Sequence, residues 1–268
     1  MGQARRPLTD TEWRQNISIG RIGKRGDLEN MQQIDARDRL ILALDVPSTM
    51  EADQLMDRVG DSIRFVKVGL ELYTVAGPDM VRRLIARGKH VFLDLKFLDI
   101  EETVRRATAR VADMGVAFLT VHANRKALIA AVQGRGGSAL KLLAVTVLTN
   151  FDSQDLRDMN IQRTVEDLVT ARAALAAEVG CDGVVASGEE PEAIRKKVGP
   201  QVLIVTPGVR PLGKGMDDHA RVTTPSQTIQ AGADYLVVGR PIRDAADPSA
   251  AAVAILREMQ TAFDARSA

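Results

Sequence analysis

The stretch HVFLDLKFLDIEETVRRATARVADMG, residues 90–115, contains one complete unit of the fold. It begins with an apolar run of strand type, HVFLDLK, and continues into IEETVRRATARVADM, whose apolar residues have helical spacing. It ends at Gly115, and a glycine in this place is typical of the C-terminal end of a helix. The stretch therefore predicts a β-strand followed by an α-helix.

The same order recurs through the rest of the chain and gives eight strand–helix units. The strand-like runs are nearly continuous in Val, Ile and Leu, which is typical of parallel strands covered on both faces. Eight units predict a single closed (β/α)8 TIM barrel in the α/β class, with an open doubly wound sheet as the alternative. No GxGxxG motif follows the first run, which disfavours a dinucleotide-binding sheet. The predicted strands lie at 40–46, 65–70, 90–96, 118–123, 141–149, 183–187, 202–209 and 235–239.

The predicted helices lie between these strands and after the last one. Six of them end at a glycine that precedes the next strand. These glycines are Gly60, Gly88, Gly115, Gly180, Gly199 and Gly232. The first predicted helix ends at Gly60, and the other seven lie at 77–88, 100–115, about 125–133, 164–180, 189–199, 224–232 and 249–263.

Composition and charge exclude several classes of protein. The 268 residues are 45% hydrophobic and 26% charged, an ordinary composition for a soluble globular protein. Lys and Arg total 36 against 35 Asp and Glu, and this net charge of +1 gives no reason to expect nucleic acid as a partner. The single cysteine, Cys181, fits a reducing compartment and is expected to be inert. No apolar run approaches the roughly 20 residues that cross a bilayer, and we expect a cytoplasmic protein without a signal peptide or membrane association.

Residues 1–37 differ from the rest of the chain. They are polar, lack a sustained period and contain the only tryptophan, Trp13. We expect a flexible or loosely docked N-terminal extension, with a surface-docked arm or a partner contact as the alternative. The catalytic domain would then span residues 38–268.

Charged residues stand where the third predicted strand ends. In a barrel of this kind the active site lies at the carboxyl ends of the strands. Asp94 and Lys96 are two residues apart, so they share one face of the strand and should point into the barrel mouth. Val91, Leu93 and Leu95 should then face the helices.

Two further charges and a glycine-rich rim extend this cluster. Lys67 and Asp99 bring the sum of the four charges to zero, and each partly buried charge needs an opposite partner. The alternative is ion pairs that only fill the barrel interior. The loops after strands seven and eight, where barrels often bind phosphate, contain TPGVRP and GRP with Arg210 and Arg240. The rim therefore favours chemistry on a phosphorylated substrate. His122, at the end of strand four, is expected to hydrogen-bond its neighbours.

The segment DLKFLDIEET, residues 94–103, resembles the Asp-x-Lys-x-x-Asp-Ile-x-x-Thr signature of the orotidine 5′-phosphate decarboxylase family. The resemblance extends in order over residues 38–265. It implies a barrel that forms a homodimer with shared active sites and uses neither metal nor organic cofactor. The implied reaction converts orotidine 5′-monophosphate to uridine 5′-monophosphate, the last step of UMP biosynthesis. The other segments that carry the resemblance are ALD (43–45), KVG (67–69), VHA (121–123), VTVLT (145–149), DGVVAS (182–187), TPGVRP (206–211) and GADYLVVGRP (232–241).

The resemblance also implies roles for individual residues. Lys96 would deliver a proton to C6 of the pyrimidine, while Asp99 and Thr103 would reach into the partner subunit's site. Asp45 and Lys67 would hold the ribose, and Thr149 the edge of the base. Arg210, Gly239 and Arg240 would hold the 5′-phosphate. The implied catalytic residues are Lys67, Asp94, Lys96 and Asp99, and the implied substrate-binding residues are Asp45, Lys67, Thr103, Thr149, Arg210, His219, Gly239 and Arg240.

The chain departs from the family pattern near the signature and in one loop. Leu98 stands where many relatives have histidine, and Glu101-Glu102 replaces a common Pro-Asn pair. His219 takes the place expected for a glutamine that bridges base and phosphate, and an imidazole cannot copy the paired donor and acceptor of a carboxamide. The surrounding loop, residues 210–223 with two glycines, is the candidate lid.

Two other functions remain open from the residues alone. A sugar-phosphate lyase of the same superfamily, such as a hexulose-phosphate synthase, would use an Asp-x-Lys-x-x-Asp strand to bind Mg²⁺. Ile100 and Thr103, with the KVG and VTVLT segments, favour the nucleotide enzyme. A non-catalytic phosphate-ligand sensor is the second alternative, but a binding protein has no need of so costly a charge array.

Overall fold

A closed barrel of eight parallel strands forms the centre of the protein. The computed structural model describes residues 35–210 and 223–267. Its strands are β1 (Leu40–Ala43), β2 (Phe65–Gly69), β3 (His90–Phe97), β4 (Phe118–His122), β5 (Lys141–Val145), β6 (Gly183–Val185), β7 (Leu203–Pro207) and β8 (Tyr235–Val238). They pair in chain order, and β8 returns to β1 with Leu40 opposite Leu236. The predicted (β/α)8 barrel is confirmed.

Helices connect the strands and cover the outside of the barrel. They are α1 (Thr49–Val59), α2 (Leu70–Ala86), α3 (Glu101–Asp113), α4 (Arg125–Arg135), α5 (Ser153–Asp158), α6 (Val165–Val179), α7 (Pro191–Val198), α8 (Pro225–Gln230), α9 (Arg240–Arg243) and α10 (Pro248–Ser267). All eight predicted helices are present. The sequence did not predict α5 and α9, which have six and four residues. Helices this short show little of a 3.6-residue period, and neither is followed by a glycine before a strand, the signal that marks the equally short α8.

The second helix begins earlier than the sequence predicted. The helical spacing of the apolar residues predicted a helix over residues 77–88. In the structure the chain is helical from Leu70, directly after β2, and Gly77 with φ +57° separates two helical segments. The prediction therefore found only the second segment of α2.

The glycines predicted to end helices do so through their backbone conformation. All six have positive φ, from +51° at Gly60 to +114° at Gly232. Gly180 is left-handed, and its N–H donates to the carbonyls of Ala176 and Ala177 at the end of α6. A side chain would be strained in this conformation, so glycine is the residue that lets each unit turn into the next strand.

The barrel interior is filled at the amino ends of the strands and open at the other end. The rings of Phe65, Phe118 and Tyr235 meet there, with centroids 4.9 Å apart for Phe65–Phe118 and 5.1 Å apart for Phe118–Tyr235. Phe65 and Tyr235 are the first residues of their strands. Because large rings close this end, space for a ligand remains at the carboxyl ends of the strands.

Strand β3 alternates its faces as predicted but is irregular in its pairing. Leu95 and Phe97 pack against the outer core, while Asp94 and Lys96 line the barrel mouth. Leu93 pairs with Leu119, but Phe97 pairs with Val121, so β3 gains two residues relative to β4. A shift by two preserves the faces, because side chains alternate with a period of two. The irregularity falls at Lys96, whose φ is +51°.

Candidate active site

A cavity of about 350 Å³ opens at the carboxyl ends of the strands. Strands or their following loops from most of the barrel contribute to it, so the fold brings together residues far apart in sequence. One wall is apolar and includes Val145, Val147, Leu148, Val185 and Val209. The site residues predicted from the sequence that line the cavity are Asp45, Lys67, Asp94, Lys96, Thr149, Arg210, Gly239 and Arg240.

Four charged side chains form a chain of alternating sign across β1, β2 and β3. Lys67 Nζ lies 3.0 Å from Asp45 Oδ1 and 3.6 Å from Asp94 Oδ2. Lys96 Nζ lies 2.9 Å from Asp94 Oδ1. The side chains of Lys67 and Asp94 are only 12% and 15% exposed, so these ion pairs are less screened than pairs on the surface. The array places Lys96 at its end, with its ammonium beside the cavity.

Asp94 is the centre of this array and stays ionised despite its burial. Burial raises the pKa of its carboxyl, but Lys67 and Lys96 lower that pKa, as do hydrogen bonds from Lys96 and Thr120. The net result is a pKa below the usual value for aspartate. The Thr120 hydroxyl donates to Asp94 Oδ1 over 2.9 Å. Asp94 is therefore a fixed negative charge between two ammonium groups.

The opposite rim of the cavity carries glycine and arginine. Gly208 has φ +78°, and Arg210 after it is buried, with its N–H donating to Thr223 O over 3.1 Å. Gly239 and Arg240 follow β8, where an added Cβ at Gly239 would come within 3.4 Å of Ala43 Cβ. Backbone N–H groups and guanidinium groups together suit an anion such as phosphate.

Arg243 also lines the cavity and was missed from the sequence. Its Nη1 donates to the backbone carbonyl of Asp45 over 2.6 Å, and its Nε and Nη2 bind both carboxylate oxygens of Asp244. The arginine lies three residues after Arg240 in GRPIR, a spacing that puts both on one side of a helical turn. That spacing was a usable signal only once α9 was known to be helical.

His122 lies at the end of β4, as predicted, but its ring makes no hydrogen bond to any other described residue. The predicted hydrogen bonds to its neighbours are thus not formed within that part of the chain. Burial lowers the pKa of His122, and Lys96 and Arg172 lower it further, while Asp94 opposes them. A neutral imidazole beside the array adds no third cation to it.

Two predicted site residues in the described part of the chain, Asp99 and Thr103, do not line this cavity. Asp99 and Thr103 are exposed, and Asp99 Oδ1 accepts a hydrogen bond from the N–H of Ile100 over 2.7 Å. Asp45, rather than Asp99, supplies the second carboxylate of the array within this chain. His219 lies outside the described residues, as does most of the predicted lid with Gly213 and Gly215.

A second depression of about 550 Å³ lies on the outside of the barrel, between α6 and α7. Its lining mixes acidic and basic side chains, among them Glu166, Glu192 and Lys196. Lys196 pairs with Glu192 over 2.7 Å, as expected for charges one helical turn apart. None of its lining residues belongs to the charged array, and it has the character of a solvated helix surface.

The sequence matches one protein family over most of its length. The profile described as "Orotidine 5'-phosphate decarboxylase / HUMPS family" matches residues 38–255. A protein of Nitrobacter winogradskyi named "Orotidine 5'-phosphate decarboxylase" is 52% identical over 228 residues, which are 85% of this chain and 95% of that protein. One of the same name from Methylobacterium sp. is 49% identical over 234 residues, covering 86% of this chain and 99% of the relative.

Solved structures show the same similarity. The crystal structure of orotidine 5′-phosphate decarboxylase from Lactobacillus acidophilus has a TM-score of 0.74 and 36% sequence identity, covering 82% of this chain and 98% of that one. A protein of Geobacillus kaustophilus described as an uncharacterized conserved protein has a TM-score of 0.73 and 35% identity. Both likenesses extend over the barrel that carries the cavity.

Proposed function

This chain belongs to the orotidine 5′-phosphate decarboxylase / HUMPS family, and on that premise we propose that it converts orotidine 5′-monophosphate to uridine 5′-monophosphate and CO₂. This is the last step of pyrimidine nucleotide (UMP) biosynthesis. The observation that carries the proposal is the Asp45–Lys67–Asp94–Lys96 array, which ends beside a cavity whose other rim offers glycine and arginine. One side of the cavity thus suits a reacting centre and the other a phosphate.

The proposed reaction breaks the bond between C6 of the pyrimidine and its carboxylate. CO₂ leaves, and the electron pair of the broken bond stays on C6. The Lys96 ammonium stabilises this developing negative charge and then transfers a proton to C6, which gives the uridine product and a neutral amine that regains its proton from water. Asp94 holds the ammonium at 2.9 Å and is itself kept ionised by Lys67 and Lys96.

Asp94 has a second proposed effect, on the bound substrate. A carboxylate that stays ionised close to the substrate carboxylate disfavours the ground state, and loss of neutral CO₂ removes that repulsion. The low pKa of Asp94 supports this role, because a protonated Asp94 would exert no such repulsion.

The substrate-binding roles follow the two sides of the cavity. Asp45 and Lys67 are proposed to hold the ribose hydroxyls, and Thr149 the base edge. The apolar wall accommodates the faces of the pyrimidine. Phosphate binding, remote from C6, contributes binding energy that favours the closed, reactive geometry. The proposed phosphate ligands are Arg210, Gly239 and Arg240, and His219 remains a proposed contact.

A homodimer with shared active sites would complete the array. Asp99 and Thr103 are exposed beside Leu98 and Ile100, whose side chains are 57% and 70% exposed. Apolar residues this exposed, within the signature segment itself, suit burial against a second subunit. In this arrangement Asp99 and Thr103 of each subunit contact the other subunit's cavity.

Mixing two inactive variants tests the shared site. Lys96→Ala and Asp99→Ala homodimers would exchange subunits and form heterodimers in which one of the two sites has both native residues. An equal mixture should recover about one quarter of wild-type activity, since half of the dimers are mixed and each has one intact site. No recovery after verified subunit exchange would contradict shared sites.

The remaining parts of the proposal concern the domain and the compartment. We propose that residues 38–268 form the catalytic domain and that residues 1–37 are an extension dispensable for catalysis. Ala36 is already part of the packed structure: it is 2% exposed, and its N–H donates to Gln260 Oε1 over 3.2 Å. In the described residues no helix is both long and apolar enough to cross a membrane. A cytoplasmic location is proposed on the basis of the family's metabolic role.

The decisive experiment follows the absorbance of orotidine 5′-monophosphate with purified protein, with and without EDTA. Loss of absorbance that EDTA leaves unchanged is the expected result. Activity that EDTA abolishes and added Mg²⁺ restores would favour the sugar-phosphate lyase alternative. Tight binding without turnover would favour the phosphate-ligand sensor. A protein that begins at Asp35 should keep its activity if the N-terminal extension is dispensable for catalysis.

A further inference from the structure

We propose that Thr120 is a positioning residue of the active site, one that fixes both the Lys96 backbone and the Asp94 carboxylate through a single hydroxyl group. The inference rests on the proposed function and deepens it, because it assigns a role to a residue on β4 that none of the motifs includes. Thr120 lies in the interior of the protein and is completely buried. It does not line the cavity, so it acts through Asp94 and Lys96 rather than on the substrate.

The Thr120 hydroxyl takes part in a closed ring of hydrogen bonds. Its oxygen accepts from the N–H of Lys96 over 2.9 Å, and its proton goes to Asp94 Oδ1 over 2.9 Å. The same Oδ1 accepts from Lys96 Nζ over 2.9 Å. A hydroxyl has one proton to donate and can also accept, so one threonine is sufficient for both contacts.

The irregular pairing of β3 explains why a side chain is needed here. Lys96 has φ +51°, a conformation that costs a residue with a side chain about 1–2 kcal/mol. Its N–H lies within the register shift between Leu93 and Phe97, where the regular ladder to β4 is interrupted. Thr120 Oγ1 takes the place of the missing ladder carbonyl. The hydroxyl thereby compensates the irregular backbone that carries the Lys96 side chain.

The second contact sets the orientation and the charge of Asp94. Oδ1 is held by Thr120 and Lys96, which leaves Oδ2 towards Lys67 at 3.6 Å. Because the Thr120 proton binds the ionised carboxylate, it lowers the pKa of Asp94. The other charged or titratable groups that act on this carboxylate or its neighbours are Lys67 with its partner Asp45, Lys96 on β3, His122 on β4, and Arg172 of α6, which lowers the pKa of His122.

Replacing Thr120 by valine and by serine tests the role. Valine keeps the shape but removes the hydroxyl, while serine keeps the hydroxyl. We expect Thr120→Val to lower kcat about 10- to 100-fold with KM changed less than about threefold, since the ammonium is displaced but the ribose and phosphate contacts remain. Thr120→Ser should keep kcat within about threefold of wild type. The acidic limb of the kcat profile should move to higher pH in the valine variant.

Thr108→Val is the matched control. Thr108 lies on α3, is as buried as Thr120, and its hydroxyl has no hydrogen-bond partner among the described residues. The same substitution there removes a buried hydroxyl without touching the array. A fall in kcat and a shifted pH profile in Thr108→Val as large as in Thr120→Val would overturn the inference, as would equal loss in Thr120→Ser and Thr120→Val.

A measurement independent of turnover separates this inference from the proposed function. The pKa of Asp94 can be followed by carboxyl ¹³C NMR in wild type, Thr120→Ser and Thr120→Val. A higher pKa in the valine variant only is the expected result, and an unchanged pKa overturns the positioning role. If wild type does not decarboxylate orotidine 5′-monophosphate, the proposed function fails while this measurement still decides the role of Thr120. If Thr120→Val does not fold, the serine variant must still match the wild-type pKa.

Discussion

Arg243 Nη1 donates to the backbone carbonyl of Asp45 over 2.6 Å and so joins α9, which follows β8, to the segment after β1. Asp45 in turn binds Lys67 through its carboxylate. The arginine is held in place from its other edge by Asp244. A residue 198 positions further along the chain therefore orients the first member of the charged array.

Arg243→Ala should weaken substrate binding. The substitution frees the Asp45 backbone at the proposed ribose end of the cavity, and the lost charged hydrogen bond corresponds to about a tenfold rise in KM. Steady-state kinetics would measure it. Arg58→Ala is the control, because Arg58 also donates to two backbone carbonyls, those of Ala245 and Ala246, but does not line the cavity. An equal rise in KM in both variants would argue against a local effect.

Lys96→Ala should abolish decarboxylation while the protein stays folded. The ammonium is the only proposed proton donor to C6, and its loss should lower kcat by about 10³-fold or more. Circular dichroism would verify the fold and the absorbance assay the rate. Turnover near the wild-type rate would contradict the assigned role.

Lys96→Gly should be more stable than Lys96→Ala, by about 1 kcal/mol, because only glycine adopts positive φ without strain. Urea unfolding of the two variants would measure the difference. The same pair at Lys196, within the regular helix α7, should show the opposite order, since glycine is unfavourable in a helix by about 1 kcal/mol. If the alanine variant were the more stable one at both positions, the Lys96 backbone would not be left-handed in solution.

Gly134→Ala should destabilise the contact between α3 and α4. A Cβ at Gly134 would lie 2.2 Å from the carbonyl oxygen of Arg105, so the two helices would have to separate. We expect a loss of about 1–3 kcal/mol in the free energy of unfolding. Gly137→Ala should cost far less, since an added Cβ there meets no atom within 4 Å. Thermal unfolding of both variants provides the comparison.

Asp234→Ala should be among the most destabilising single substitutions. Asp234 is 4% exposed, accepts from the N–H of Ile204 over 2.8 Å and pairs with Arg195. Its removal leaves a partly buried guanidinium without its carboxylate, which costs about 3–5 kcal/mol. Asp79→Ala, which breaks an exposed pair with Arg82, should change stability by less than about 1 kcal/mol. Denaturant unfolding would show whether the two costs differ.

Cys181 should be unreactive in the native protein. Burial raises the pKa of its thiol to about 12, so the thiolate that reacts with disulfide reagents is scarce at pH 8. Titration with such a reagent should detect no thiol in the native protein and one after denaturation. Rapid native labelling without loss of structure would contradict this.

The local pattern of the chain was enough to predict the barrel and much of the cavity. Apolar runs and glycines such as Gly180 report on structure within one strand–helix unit, and eight repeats leave few ways to close the sheet. Asp94 and Lys96 could be assigned to one face because alternation along a strand is a local property. The short helices α5 and α9 could not be predicted, since they are too brief to establish a period and lack the glycine before a strand that marks the end of the equally short α8.

The remaining features of the site depend on how distant segments align. Thr120 meets Lys96 only because β3 gains two residues against β4, and no pattern within either strand reports the register between them. The contact from Arg243 to Asp45 likewise requires the barrel to close. Residue type and order along the chain thus determined the barrel and the charges at its mouth. The tertiary structure alone decided which atoms hold those charges in place, because hydrogen bonds depend on distances between strands that sequence spacing does not contain.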